Sequence, residues 1–244
     1  TARMMAAQGA TVCLLSITPL EETDIVADAI KAAGGVAASF QCDVADRAAV
    51  DRCIGQIEKT YERIDVLVNC AGVFLPNPIF GGDSADVERT LNVNLKGTYN
   101  TVHAVLPIMR RAGGGSIVNV ASAAAKQAVV GTSMYAASKA AVIAFTRTVA
   151  GELKGLRIRI NAVAPGAIRT PMVAAVHTRQ TPEAEKMYRF LADATPSPYG
   201  EPFLEPEDVA SAICFLASDA ARGVHGATLV VDQGLTAVAP SPQL

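Results

Sequence analysis

Tyr135 and Lys139 stand four residues apart in a segment of helical periodicity, Met134 to Lys154. That spacing puts phenol and ammonium on one helix face. A cation beside a phenol favours tyrosinate and lowers the Tyr pKa, so the pair can serve as acid or base near neutral pH. The bland alternative is a solvent-facing pair. Ser122 precedes Tyr135 by 13 residues and follows the apolar strand Ser116 to Val120. A hydroxyl there can hold a substrate oxygen while Tyr135 exchanges its proton. Two further strands deliver small or polar residues in the same way. Ile64 to Val68 runs into Asn69-Cys70-Ala71-Gly72, and Arg157 to Val163 into Ala164-Pro165-Gly166. Small residues let a flat ligand lie against the backbone, although ordinary turn chemistry explains any one of these stretches taken alone.

The elements that must position these residues alternate along the chain. Strands are predicted at Thr11 to Leu15, Val36 to Phe40, Ile64 to Val68, Ser116 to Val120, Arg157 to Val163 and Ala227 to Val231. Helices are predicted at Thr23 to Ala33, Ala45 to Tyr61, Asp86 to Arg111, Met134 to Lys154 and Pro206 to Ala217, with a broken helical stretch over Pro171 to Ala194. Val-, Ile- and Leu-rich strands, each followed by a helix, imply a parallel sheet covered on both faces. Right-handed crossovers make it an α/β, Rossmann-like doubly wound sheet, here a single domain over residues 1–244. Ligands of such sheets bind beyond the carboxyl ends of the strands.

Bulk properties exclude several classes. The chain has 244 residues, half of them hydrophobic, and a net charge of −2, which provides no basic face for nucleic acid. No apolar run is long enough to span a membrane. Five scattered cysteines without a CxxC pair read as reduced thiols of a cytoplasmic protein. His103, His177 and His225 are too far apart in the chain to suggest a metal site.

With these motifs in order the chain resembles the short-chain dehydrogenase/reductase family over nearly its whole length. The resemblance rests on Cys42-Asp43-Val44, Asn69-Cys70-Ala71-Gly72, Asn92-Val93-Asn94, Ser122, Tyr135-Ala-Ala-Ser-Lys139, and Pro165-Gly166 followed by Thr170. It implies an NAD(P)-dependent enzyme that transfers hydride reversibly between nicotinamide and a secondary alcohol or ketone. Tyr135 would be the general acid/base, and Lys139 would lower its pKa and bond the nicotinamide ribose. Ser122 would orient the substrate oxygen. Asn94 would hold a water in the proton relay to Lys139, the alternative being a polar residue tolerated within a helix. Asp43 would contact adenine, with Val44 beside it. Asn69, Ala71 and Gly72 would line the adenosine side and steady the sheet. Pro165, Gly166, Ile168 and Thr170 would hold the nicotinamide, and Thr170 before Pro171 also reads as a helix cap. The competing class is a non-enzymatic binding or regulatory protein on the same fold. Such relatives typically lose the Tyr or Lys, and both are present here.

The resemblance makes residues 172–205 the substrate lid, over a mostly apolar pocket for an alcohol or ketone; plain packing explains its apolar residues equally well. The prolines at 182, 196, 198, 202 and 206 argue against one continuous helix there. It also implies a homodimer or homotetramer built on the helices Asp86 to Arg111 and Met134 to Lys154. Thr1 to Gly9 matches the second half of the family's first helix. About 20 further residues, a strand and a glycine-rich turn, are therefore expected upstream, judged from the length of such a start. The alternative is a fragment with crippled cofactor binding. Ser16 and Ile17 fall beside the cofactor ribose. Ser16-Ile17-Thr18 has no acid to repel a 2′-phosphate and two hydroxyls to bond one, which tilts the expectation from NAD toward NADP. Gln233 in Asp232-Gln233-Gly234 departs from the family's usual Asp-Gly-Gly.

Overall fold

In the computed structural model, residues 1–174, 178 and 181–237 are described. His177, part of the expected lid, and the tail 240–244 lie outside them. α1 (Ala2–Ala7) leads through β1 (Thr11–Ser16), α2 (Leu20–Ala32) and β2 (Val36–Gln41) to α3 (Arg47–Tyr61) and β3 (Val66–Asn69). α4 (Ser84–Leu91) and α5 (Gly97–Arg111) are followed by β4 (Gly115–Val120), α6 (Ser133–Glu152) and β5 (Ile158–Pro165). α7 (Pro182–Ala194), α8 (Pro206–Ala217) and β6 (Thr228–Val231) complete the order.

Every pairing among the described strands is parallel, as helical crossovers require. Side chains alternate between the two faces of a strand. Ile117 and Ile160, both 0% exposed, join the core under α3, α5 and α6, while Val118 and Val163 face α8 on the other side. Burial on both faces explains the continuous apolar runs and confirms the doubly wound α/β reading.

The described strands form two sheets, β1–β2 and β3–β4–β5–β6, as expected where the family's central first strand is not among these residues. They still share a core, because Cys13, Leu15 and Phe40 of the first pack in one cluster with Leu67 and Ile117 of the second. One correction concerns the helix expected over Asp86 to Arg111. It starts earlier, at Ser84, where Asp83 caps it by accepting from Ala85 N, and it is interrupted by a π-helical turn at Asn92–Lys96. There Gly97 N–H reaches back five residues to the Asn92 carbonyl. Such a bulge inserts one residue into the helix and re-aims its side chains. Here the re-aimed residue is Asn94.

The lid segment divides as its prolines predict. A short 3₁₀ turn at Pro171–Val173 precedes α7, which Thr181 caps by accepting from Ala184 N. Among the described residues no helix is long and apolar enough to cross a membrane, and no cluster of three His, Cys, Asp or Glu could hold a metal ion.

Candidate active site

Because β3, β4 and β5 run parallel, Asn69–Gly72, Ala121–Ser122 and Gly166 emerge at one edge of the larger sheet. α6 begins beside that edge and brings Tyr135 and Lys139 to it in its first two turns. Lys139 is 5% exposed, and its Nζ donates to the Val120 carbonyl at the end of β4 at 2.8 Å. The same Nζ lies 5.9 Å from the centroid of the Tyr135 ring. Phe74 packs edge-on against that ring at 4.9 Å and holds its plane.

Asn94 is the hub behind this pair. It is 1% exposed, accepts from Val73 N at 2.8 Å, and donates to Val73 O at 3.0 Å and to Ser138 Oγ at 3.1 Å. Ser138 in turn donates to the Tyr135 carbonyl at 2.7 Å. The Asn94 carboxamide is thereby fully engaged, so it positions its neighbours. The main-chain oxygen of Asn94 accepts from Thr98 Oγ1 at 2.9 Å. Gly72 closes the group: a Cβ there would lie 3.3 Å from Asn94 Oδ1 and 3.4 Å from Lys139 Nζ. Ser138 is 0% exposed and was missed by sequence reasoning, although it stands inside the Tyr-Ala-Ala-Ser-Lys stretch. Its place three residues after Tyr135, on the same helix face, was the available signal.

Electrostatics qualifies one expectation. Burial pushes the Lys139 ammonium down to about 8, opposed by Cys70 nearby. Burial likewise raises the Tyr135 phenol, and a hydrogen bond with Ser122 pulls it the other way. In the protein alone, desolvation therefore outweighs the lowering of the Tyr135 pKa expected from Lys139. Ser122 Oγ also accepts from Ala124 N at 3.1 Å, which fixes the turn after β4.

The cofactor-side residues divide into two groups. Asn69 turns inward: its Nδ2 donates to Asn119 Oδ1 at 2.8 Å, and its Oδ1 accepts from Thr101 Oγ1 at 2.7 Å. Its side chain steadies the sheet, while Ala71 and Gly72 continue along the edge. Val44 also turns inward, toward Gly97, where a Cβ would clash with Val44 Cγ2 at 2.6 Å. Asp43 stays at the surface end and accepts from Ala45 N at 2.9 Å. At the end of β1, Ser16 Oγ and Thr18 Oγ1 are 2.8 Å apart, and Thr18 Oγ1 is 3.3 Å from Thr23 Oγ1. Thr23 was not singled out by the sequence. Ile17 is 63% exposed between these hydroxyls.

Pro165 ends β5, and Gly166 N donates to Val231 O at 2.9 Å. A Cβ on Gly166 would meet Asp232 Cα at 3.0 Å, so glycine permits this approach. Ile168 bridges Leu204 at the far side of the lid segment. Thr170 precedes the 3₁₀ turn, but its hydroxyl does not cap it and donates instead to the Ile168 carbonyl at 3.3 Å.

The family described as Enoyl-(Acyl carrier protein) reductase matches residues 1–236. The chain belongs to the short-chain dehydrogenase/reductase family. As a short-chain dehydrogenase/reductase it is an oxidoreductase. It is 38% identical over 235 residues to 3-oxoacyl-(acyl-carrier-protein) reductase FabG of Thermotoga maritima, covering 96% of this chain and 91% of that protein. It is 38% identical over 241 residues to the cis-4-hydroxycyclohexanecarboxylate dehydrogenase of Sinomonas cyclohexanicum, covering 98% and 91%. A crystal structure of gluconate 5-dehydrogenase from Burkholderia cenocepacia, in complex with NADP and tartrate, superposes with a TM-score of 0.89 at 30% identity, covering 98% of this chain and 90% of that one.

Proposed function

We propose that the protein reduces a ketone, or oxidises the matching secondary alcohol, with Ser122, Tyr135, Lys139 and Asn94 as its working set. The observation that supports this best is the convergence of Lys139 Nζ, Asn94 Oδ1 and Gly72 beside the Tyr135 ring. The residues present also fit a nicotinamide cofactor. Glycines at 72 and 166 stand where a Cβ would crowd a neighbour, so the floor of the cleft stays flat. When bound, the nicotinamide supplies or accepts the hydride.

The protein's own residues handle the proton and the alignment. Tyr135 gives its hydroxyl proton to the substrate oxygen in reduction and takes it back in oxidation. Ser122 bonds the same oxygen and holds it within reach. Lys139, charged below about pH 8, stabilises the tyrosinate that forms when Tyr135 loses its proton. Ala71, Gly72, Pro165, Gly166, Ile168 and Thr170 line the cofactor's path, and Asp43 and Val44 mark its adenine end. The hydroxyls of Ser16 and Thr18, with Ile17 between them, favour NADP over NAD, since no carboxylate stands there to repel a 2′-phosphate.

Residues 1–244 act as one domain with 172–205 as its lid, and the apolar side chains of that segment favour a mostly apolar substrate. The protein works in the cytoplasm as a homodimer or homotetramer. Supporting the assembly, Tyr99 is 45% exposed on α5 and meets Phe145 of α6 edge-on, which leaves an aromatic patch on the two helices proposed as the interface. The test is a cofactor-absorbance assay with NADPH and NADH against a panel of aryl ketones, cyclic diols, sugars and ketoacyl thioesters. Turnover with NADPH is expected. Tight cofactor binding without turnover on any member supports the binding-protein reading instead.

A further inference from the structure

At the opposite end of the larger sheet, where β3, β4 and β5 begin, a concavity of about 780 Å³ opens. It is far from the cleft just described, because parallel strands put their two ends on opposite sides of the molecule. Its walls carry five cations, Arg63, Lys154, Arg157, Arg159 and Arg222, against two carboxylates, Asp65 and Asp219. The chain as a whole has a net charge of −2, so this excess runs against the background.

Arg63 holds Asp65 through Nε at 2.9 Å and 3.1 Å, and Asp219 lies within electrostatic reach of Arg159 without forming an ion pair with it. Arg159 also donates to the Leu216 and Ser218 carbonyls at 2.8 Å and 2.9 Å, neutralising the end of α8. His225 is neutral by geometry: Nδ1 accepts from Ile160 N at 3.2 Å, which leaves Nε2 to donate to Ala150 O at 2.8 Å. Among the described residues Lys154, Arg157 and Arg222 have no ion pair and no hydrogen bond to a helix end. The C-termini of α3, α5, α6 and α8 reach this end of the sheet and contribute about −0.5 charge each. Three free cations therefore leave a surplus of about +1.

Backbone strain marks the same place. Arg157 has φ 57, the left-handed region where glycine is at ease and a long side chain is not. A turn that only had to connect α6 to β5 would be served better by glycine. Instead a guanidinium stands at the rim, and strain of this kind clusters where a ligand is held. On the floor, Gly113 and Gly155 would place a Cβ in open space, so a ligand meets no side chain there.

We propose that this concavity is a binding site for a small polyphosphate, with Lys154, Arg157 and Arg222 as its ligands. Guanidinium groups match phosphate oxygens in pairs, and a lysine adds a point charge. The site goes beyond the oxidoreductase reading and stands without it.

Calorimetric titration of inorganic tripolyphosphate into the whole protein, with NADP present in saturating amount, tests it. Binding is expected to persist beside NADP and to weaken by about tenfold, or 1.4 kcal/mol, in Arg157→Gly and in Lys154→Ala/Arg222→Ala. Arg157→Gly relieves the strained φ and keeps the fold. A parallel titration with ATP separates the sources: equal affinity identifies the phosphate chain as the ligand, and tighter ATP identifies a nucleotide. No binding, binding abolished by NADP, or binding undiminished in both variants overturns the proposal.

Discussion

At the C-terminal ends of β3, β4 and β5, Lys139 lies 5% exposed with its Nζ on a backbone carbonyl. At the N-terminal ends of the same strands, Lys154, Arg157 and Arg222 remain in solvent. The cations are alike in charge and opposite in use. Burial moves the Lys139 pKa from 10.5 to about 8, into the range where a proton can be exchanged. The other three lie exposed at the surface, where the proposed site would hold an anion. On the proposed reading one set of strands carries a reactive end and a charged end, and depth of burial separates them.

Lys139→Met is the largest way to break that contrast. Turnover is expected to fall by about 10³ in a steady-state assay, within the span that acid–base machinery contributes. Stability should respond in a definite sense. The folded ammonium titrates near 8 and the unfolded one near 10.5, so the unfolded chain holds more protons between those values. Wild type should therefore gain about 3 kcal/mol relative to Lys139→Met as pH rises through that window, read by urea unfolding at each end. A flat difference would mean that Lys139 is better solvated than its position indicates.

Asn94→Ala removes three hydrogen bonds and leaves the Val73 amide and carbonyl unpaired. A loss of about 3 kcal/mol in urea unfolding is expected, together with reduced turnover. A normal stability would show that the hub does not hold the loop. A smaller effect is expected at the hydroxyl cluster. Ser16→Ala/Thr18→Ala should lower the preference for NADPH over NADH about fivefold, since it removes neutral bonds at an exposed edge. Thermal melting should not change. An unaltered cofactor ratio would locate the ribose selectivity elsewhere.

These residues were unequally legible in the sequence. Tyr135 and Lys139 share one helix, so their geometry follows from spacing, and strand ends announced Ser122 and Gly72 through local residue type. The π turn at Asn92–Lys96 was not legible, because it depends on Asn94 meeting Val73, 21 residues away. Asn69 was expected to steady the sheet, but its partners Asn119 and Thr101, 50 and 32 residues along, were not legible for the same reason. Thr170 misled differently. Its type and the following proline are right for a cap, yet its hydroxyl bonds the Ile168 carbonyl, a local competition that residue type alone does not resolve.

The central claim is that Tyr135 carries the proton for the reaction while the surrounding cleft binds the cofactor. Tyr135→Phe tests it most directly, with turnover and NADPH affinity measured on the same preparation. The expected result is turnover lowered by about 10³ or more with cofactor affinity unchanged. Undiminished turnover in Tyr135→Phe would contradict it.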